Sequence, residues 1–295
     1  MTKDRKKGLI LASIGSVFWG SSGIAGQYLL LDQNISPEWL TFFRLLCASL
    51  LLLAIAAMKN KNIFSIWKEG KDRLSLLIFG ALGMMGTQYC YFVCIRYSNA
   101  PTATILEYLM PILIIFWFCI RGRRLPDVME ILCAFFAIAG TAMIATSGSL
   151  SKLSISEEAL IWGLTSALAC ALYTIEPVKI IKKHGAPVVV GWGMLIASLV
   201  MIPITFTSPF TGEINTSVLS AFAFVVLFGT VCSFVLYLGS MAYILPTEAS
   251  IISAIEPLSS VIFSFILFHL TFDFYQLLGM ALIICAVGVV AAYKK

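Results

Sequence analysis

Two glutamates stand beside prolines inside runs that are otherwise apolar. Glu107 lies in NAPTATILEYLMPIL (99–113), between Pro101 and Pro111, and Glu256 lies in ILPTEASIISAIEPL (244–258), directly before Pro257. A carboxylate in such a place can bind a cationic group, carry a proton, or accept hydrogen bonds from neighbouring segments. Proline adds a second device. It has no N–H, so the carbonyl four residues earlier loses its helical donor and the helix bends. For Pro111 that carbonyl belongs to Glu107 itself, and the i, i+4 spacing puts the two on one helical face. For Pro257 it belongs to Ser253. A freed carbonyl can face a water-filled cavity or a substrate. Glu107 therefore either recognises a cationic group of a substrate or pairs with Arg44, which lies at a similar depth in another apolar run. Glu256 binds a substrate amine, carries a coupling proton, or locks the fold through hydrogen bonds.

Other residues suit the wall of such a site. Trp19 is followed by Gly20, Ser21 and Ser22, small residues that let helices approach and leave room for a ligand. Gln88 and Tyr91 occur in GTQYCYF (86–92), and Tyr173 and Tyr237 lie deep in two further runs. Tyrosine offers an apolar face and a hydroxyl that needs a partner when buried. Trp39, Trp67 and Tyr293 fall near run ends and fit an interfacial belt. Glu176, beside Lys179, reads as a gate or an interfacial charge, and Glu248 as a first-turn cap. No catalytic constellation is present. The histidines His184 and His269 are far apart, and there is no HExxH, P-loop or GxSxG. Cys90 and Cys94 share a face without a His or acid to complete a metal site. Neither a metal nor a cofactor is expected. Without an ATP-binding module, any transport is driven by gradients or exchange.

The elements that must hold these residues follow from composition. The chain has 295 residues, 60% hydrophobic and 12% charged, with mean hydropathy +0.95. A soluble chain needs a far more polar surface, so the reading is an all-α, multi-pass membrane protein. Ten segments are long enough to cross: 8–31, 37–58, 74–95, 102–120, 128–145, 159–181, 187–206, 218–241, 247–268 and 274–293. Glu256 then falls near the middle of its span, where a charge costs about 2.5–3.5 kcal/mol. With the N-terminus inside, Lys and Arg crowd the inner loops, and only Arg96 and Lys152 lie outside. Both termini are thus expected in the cytoplasm, in the plasma (inner) membrane. The net charge of +5 is a topology signal, not a nucleic-acid patch.

The chain repeats itself. The two quoted stretches align Pro101 with Pro246 and Pro111 with Pro257, AIAGTAMIA (137–145) matches AVGVVAA (286–292), and SVFWG (16–20) resembles CALYT (170–174). Each half (1–148 and 157–295) holds five spans. Five is odd, so the halves have opposite orientation, an inverted repeat with a midplane site between them. At these residues the chain resembles the drug/metabolite transporter superfamily in its ten-span EamA-type branch, through FWGSS (18–22), SPEWLTFFR (36–44), the Pro101–Pro111 stretch and Glu256–Pro257. That resemblance implies a secondary transporter, most often an exporter of amino acids or related metabolites, in a basket of ten helices. Spans 1, 3, 4, 6, 8 and 9 would line its central cavity. Broad drug or cation efflux is the second reading, and a non-transporting membrane protein or membrane enzyme the third. The halves differ chemically: Met194 or a neighbour falls where Arg44 stands, and Ser253 where Glu107 stands.

Overall fold

The protein is described as a computed structural model covering residues 3–59, 62–123, 125–147, 154–240, 243–244, 249 and 252–293. Among these residues every regular element is helical. Helix α1 (Lys3–Gln27) runs into a π-helical turn at Tyr28–Asp32, and α2 (Pro37–Met58) opens on a proline whose missing N–H costs nothing in a first turn. Helix α3 (Gly70–Tyr97) carries a π-helical stretch at Phe79–Met84. Helix α4 comes in two pieces, Ala100–Glu107 and Met110–Arg121. A capping box of Asp127 and Glu130 starts α5 (Val128–Thr146), and Ser156 caps α6 (Glu157–Ile175). The chain breaks at Pro177, makes a short helix (Val178–His184), and continues as α7 (Ala186–Thr207). Helix α8 (Thr216–Ser240) holds another π-helical stretch at Leu227–Cys232. Helices α9 (Ile255–Phe268) and α10 (Phe274–Tyr293) close the chain.

Helices α1 to α8 are long and apolar enough to cross a membrane, and α9 and Phe274–Ala286 of α10 are shorter apolar helices. Helix α9 follows a turn at Ser253 and Ala254; earlier in the expected span 247–268, Ala249 and Ile252 are helical, and residues 245–248, 250 and 251, with Pro246 and Glu248, lie outside the described residues. The expected spans 102–120 and 159–181 are each interrupted, the first ahead of Pro111 and the second at Pro177. In both cases the proline withholds the donor that would continue the ladder.

Antiparallel pairs organise the packing. Helix α2 lies along α7, with Thr205 Oγ1 donating to Glu38 O (3.3 Å) at one end and Gly191 against Leu53 at the other. Helix α3 lies along α6, from Gly83 against Tyr173 to Cys94 Sγ donating to Ala159 O (3.2 Å). Helix α1 lies along α8, from Gly8 beside Ser240 to Ser22 against Gly229. Helix α5 meets α10 through glycines, where a Cβ on Gly140 would sit 2.6 Å from Gly279 O. Small residues matter more in lipid than in water. The tails are as apolar as leucine, so close van der Waals contact and hydrogen bonds hold the helices together.

This geometry separates two kinds of glycine. Gly140→Ala should destabilise the protein by about 1–3 kcal/mol, because a backbone carbonyl must move. Gly239→Ala should be neutral or slightly stabilising, since nothing lies within 4 Å of its Cβ position. Melting of both variants in detergent checks this; equal melting temperatures would contradict the contact.

Candidate functional site

Helices α4 and α9 bring their irregular segments together. In α4 the ladder stops at Glu107, Tyr108 N bonds Thr104 O (3.0 Å), and the next piece starts with Pro111 in its first turn. The Glu107 carbonyl finds no backbone N–H among the described residues. The corresponding expectation at α9 is corrected. Ser253 O is not free, because a tight turn hands it Glu256 N–H (2.9 Å). Glu256 also lies in the first turn of α9 and not mid-helix. An acidic side chain there faces the positive end of the helix dipole. The two segments are joined by Tyr108 Oη donating to Ser253 Oγ (2.8 Å).

Both carboxylates are half-buried. Ser166 of α6 donates a short hydrogen bond to Glu107 Oε2. No donor among the described residues reaches the Glu256 carboxylate. Its carbonyl packs on Gly20 of α1, where a Cβ would lie 2.5 Å away, and accepts from Ser259 Oγ (2.8 Å). Gly20 is therefore what admits α1 to α9. Arg44 does not pair with Glu107. Its Nε donates to Thr230 Oγ1 in the π-helical stretch of α8 (2.9 Å), and its guanidinium lies over the Phe92 ring (5.1 Å). Arg44, Glu107 and Glu256 remain within electrostatic range of one another without contact.

The aromatic residues surround this centre. Trp19 packs on Tyr237 (5.0 Å) and Phe234 (5.3 Å), and Tyr237 hydrogen-bonds Ser253. Tyr91 shares a hydrogen bond with Thr104 Oγ1 (3.0 Å) and lies over Gly23. Tyr173 stacks on Phe79 (5.4 Å) beside Gly83. Ser22 is buried against Gly229, a packing role, and Gln88 is half-buried with no side-chain hydrogen bond among the described residues. Glu176 lies apart from the centre. Its backbone carbonyl accepts from Ser75 Oγ (3.3 Å) at the Pro177 break. A polar cleft of about 190 Å³ opens elsewhere, lined among others by Ser98, Asn99, Thr102 and Gln276.

A charged cluster ties the start of α3 to the short helix before α7. Lys183 reaches Glu69 (2.5 Å) and Asp72 (2.9 Å), while His184 bridges Asp72 (2.9 Å) and Ser65 Oγ (3.0 Å). The carboxylates of Glu69 and Asp72 raise the Lys183 ammonium above its ordinary range. The sequence offered no local signal for it, since Asp72 and His184 are 112 residues apart. Among the described residues no His, Cys, Asp and Glu group could hold a metal ion.

An all-helical, multi-pass membrane protein with a polar centre between irregular helices is the architecture of a carrier. The EamA-like transporter family matches residues 6–146 and again 158–292, and the chain belongs to that family. It is 38% identical to YicL, an uncharacterized inner membrane transporter of Salmonella typhimurium, over 96% of this chain and 94% of that one. It is also 22% identical to an uncharacterized transporter of Archaeoglobus fulgidus, covering 96% of each. A crystal structure of a protein only 14% identical superposes with TM-score 0.65 over 96% of both chains, a likeness of fold. The chain is a transporter, not an enzyme.

The Tyr108–Ser253 bond is the direct link between the two irregular segments. A double-mutant cycle of Tyr108→Phe and Ser253→Ala should give a coupling of about 0.5–1.5 kcal/mol in thermal or chemical unfolding. A coupling of zero would show that the segments do not support each other.

Proposed function

We propose that the protein is a secondary transporter that exports amino acids or related amphiphilic amines by alternating access, with Glu107 and Glu256 as the groups that take the amine or exchange it for a proton. The carrying observation is that two irregular helices, each with a proline in its first turn after the irregular segment and each bearing a carboxylate, meet through Tyr108 and Ser253. Interrupted helices at a repeat interface are where carriers place their substrates. Each carboxylate lacks a cationic partner within 4 Å among the described residues, and a substrate ammonium would supply one. Trp19, Tyr91, Tyr173 and Tyr237 add ring faces suited to an organic cation.

The reading includes ten spans in two inverted five-helix repeats, 1–148 and 157–295, in the inner membrane with both termini cytoplasmic. The helix pairing supports it. Exchanging each helix for the one five places on carries the most extensive pairs onto one another: α2–α7, α5–α10 and α4–α9 map onto themselves, and α3–α6 maps onto α8–α1. The π-helical stretches of α3 and α8 correspond under the same exchange. A broad cation efflux carrier is the second reading, favoured by the rings around Glu256.

Flux in liposomes tests the site. Glu107→Gln and Glu256→Gln should insert and melt nearly as the parent does. Their amine flux should fall about tenfold or more, or lose its pH dependence, because the charge and the titratable proton are gone. Unchanged flux and pH profile in both folded variants would remove the carboxylates from the mechanism. Orientation is tested separately by cysteine labelling in intact cells: Glu213→Cys should react from outside and Phe64→Cys only after permeabilisation. The reverse pattern would invert the topology.

A further inference from the structure

Arg44 is 7% exposed, and only part of its guanidinium is used. Nε donates to Thr230 Oγ1, whose own proton goes to Val225 O (2.9 Å), so that hydroxyl is satisfied on both sides. One face rests on Phe92, which is itself clamped by Gly26, where a Cβ would lie 2.7 Å from the ring. The side chain is therefore fixed by α3 and α8. Its Nη1 and Nη2 atoms, the two-nitrogen edge that matches a carboxylate, make no hydrogen bond or ion pair with any described residue. A structural anchor needs Nε and the ring face; it does not need a charged fork left open. The two Nη atoms are not among the buried polar atoms that lack a partner, so they are reachable, and a bidentate carboxylate is the ligand that matches that edge.

We propose that Arg44 is a specificity-determining residue, whose Nη edge receives the carboxylate of a substrate while Glu107 or Glu256 takes its ammonium. This rests on the reading of the two carboxylates given above. It makes the preferred substrate a compound bearing both groups and separates the amino-acid reading from cation efflux. Thr230 and Phe92 are positioning residues for the fork. The other half has no counterpart of Arg44, since Met194 and its neighbours there are uncharged, so a zwitterion would bind in one polarity.

The test compares the proteinogenic L-amino acids with the amines left when their carboxyl group is removed. Binding to the purified full-length protein is read as thermal stabilisation. The parent should bind at least one amino acid about tenfold or more tightly than its amine. Arg44→Gln, which can still meet Thr230, should bring that pair to parity by weakening amino-acid binding. If Arg44→Gln does not fold, Arg44→Lys keeps the charge and loses the fork, and should lose most of the preference. A folded Arg44 variant that keeps the preference would overturn the proposal. So would a parent that favours the amines; the carboxylate reading would then still stand. If neither class binds the parent, both fall together.

Discussion

The backbone of a chain in lipid has no water to turn to, and the places where this chain cannot satisfy its own ladder organise the rest. Pro111 and Pro257 each withhold an N–H in the middle of an apolar run. At α9 a tight turn repairs the loss through Glu256 N–H. At α4 no such repair is present among the described residues, where the Glu107 carbonyl meets no backbone N–H. Irregular backbone at membrane depth is tolerated only where protein covers it or water reaches it. That constraint explains why Tyr108 reaches across to Ser253, why Gly20 lets α1 close on Glu256, and why Ser166 of α6 serves Glu107.

The same constraint explains the division of labour among the helices. Pairs α2–α7 and α5–α10 are built from close apolar contact, with Gly191 on Leu53 and Gly140 on Gly279. They hold the frame. Arg44 of α2 and the carboxylates of α4 and α9 apart, the pairs α3–α6 and α1–α8 carry polar groups such as Tyr91, Ser166 and Tyr237, and α3 and α8 each widen by a π-helical stretch at the level where Tyr173 and Ser22 press in. Such stretches are uncommon and cluster at functional positions. In α8 the stretch also turns Thr230 toward Arg44, so backbone irregularity and side-chain chemistry coincide.

Much of this was legible in the sequence. Hydropathy located the apolar runs, the prolines located the interruptions, and charge in apolar surroundings singled out Glu107, Glu256 and Arg44. The misreadings have physical causes. Periodicity cannot show a π-helical stretch, because the residues are as apolar as their neighbours. Proline chemistry says that a donor is missing, but not that a tight turn will supply another, as at Ser253. Partners distant in the chain leave no local trace: Arg44 and Thr230 are 186 residues apart, and similar depth alone suggested Glu107 in Thr230's place. His184 has no partner close to it in the sequence, yet it bridges Ser65 and Asp72.

The central claim is that the substrate sits where the two irregular helices meet. The most direct measurement is an experimental structure of the protein with a transported compound bound, using whichever amino acid or amine stabilises it most. The account predicts ligand density between Glu107 and Glu256, beside Tyr108 and Ser253, with the ammonium on a carboxylate. Density confined to the polar cleft at Asn99 and Gln276, with the centre unoccupied, would contradict it.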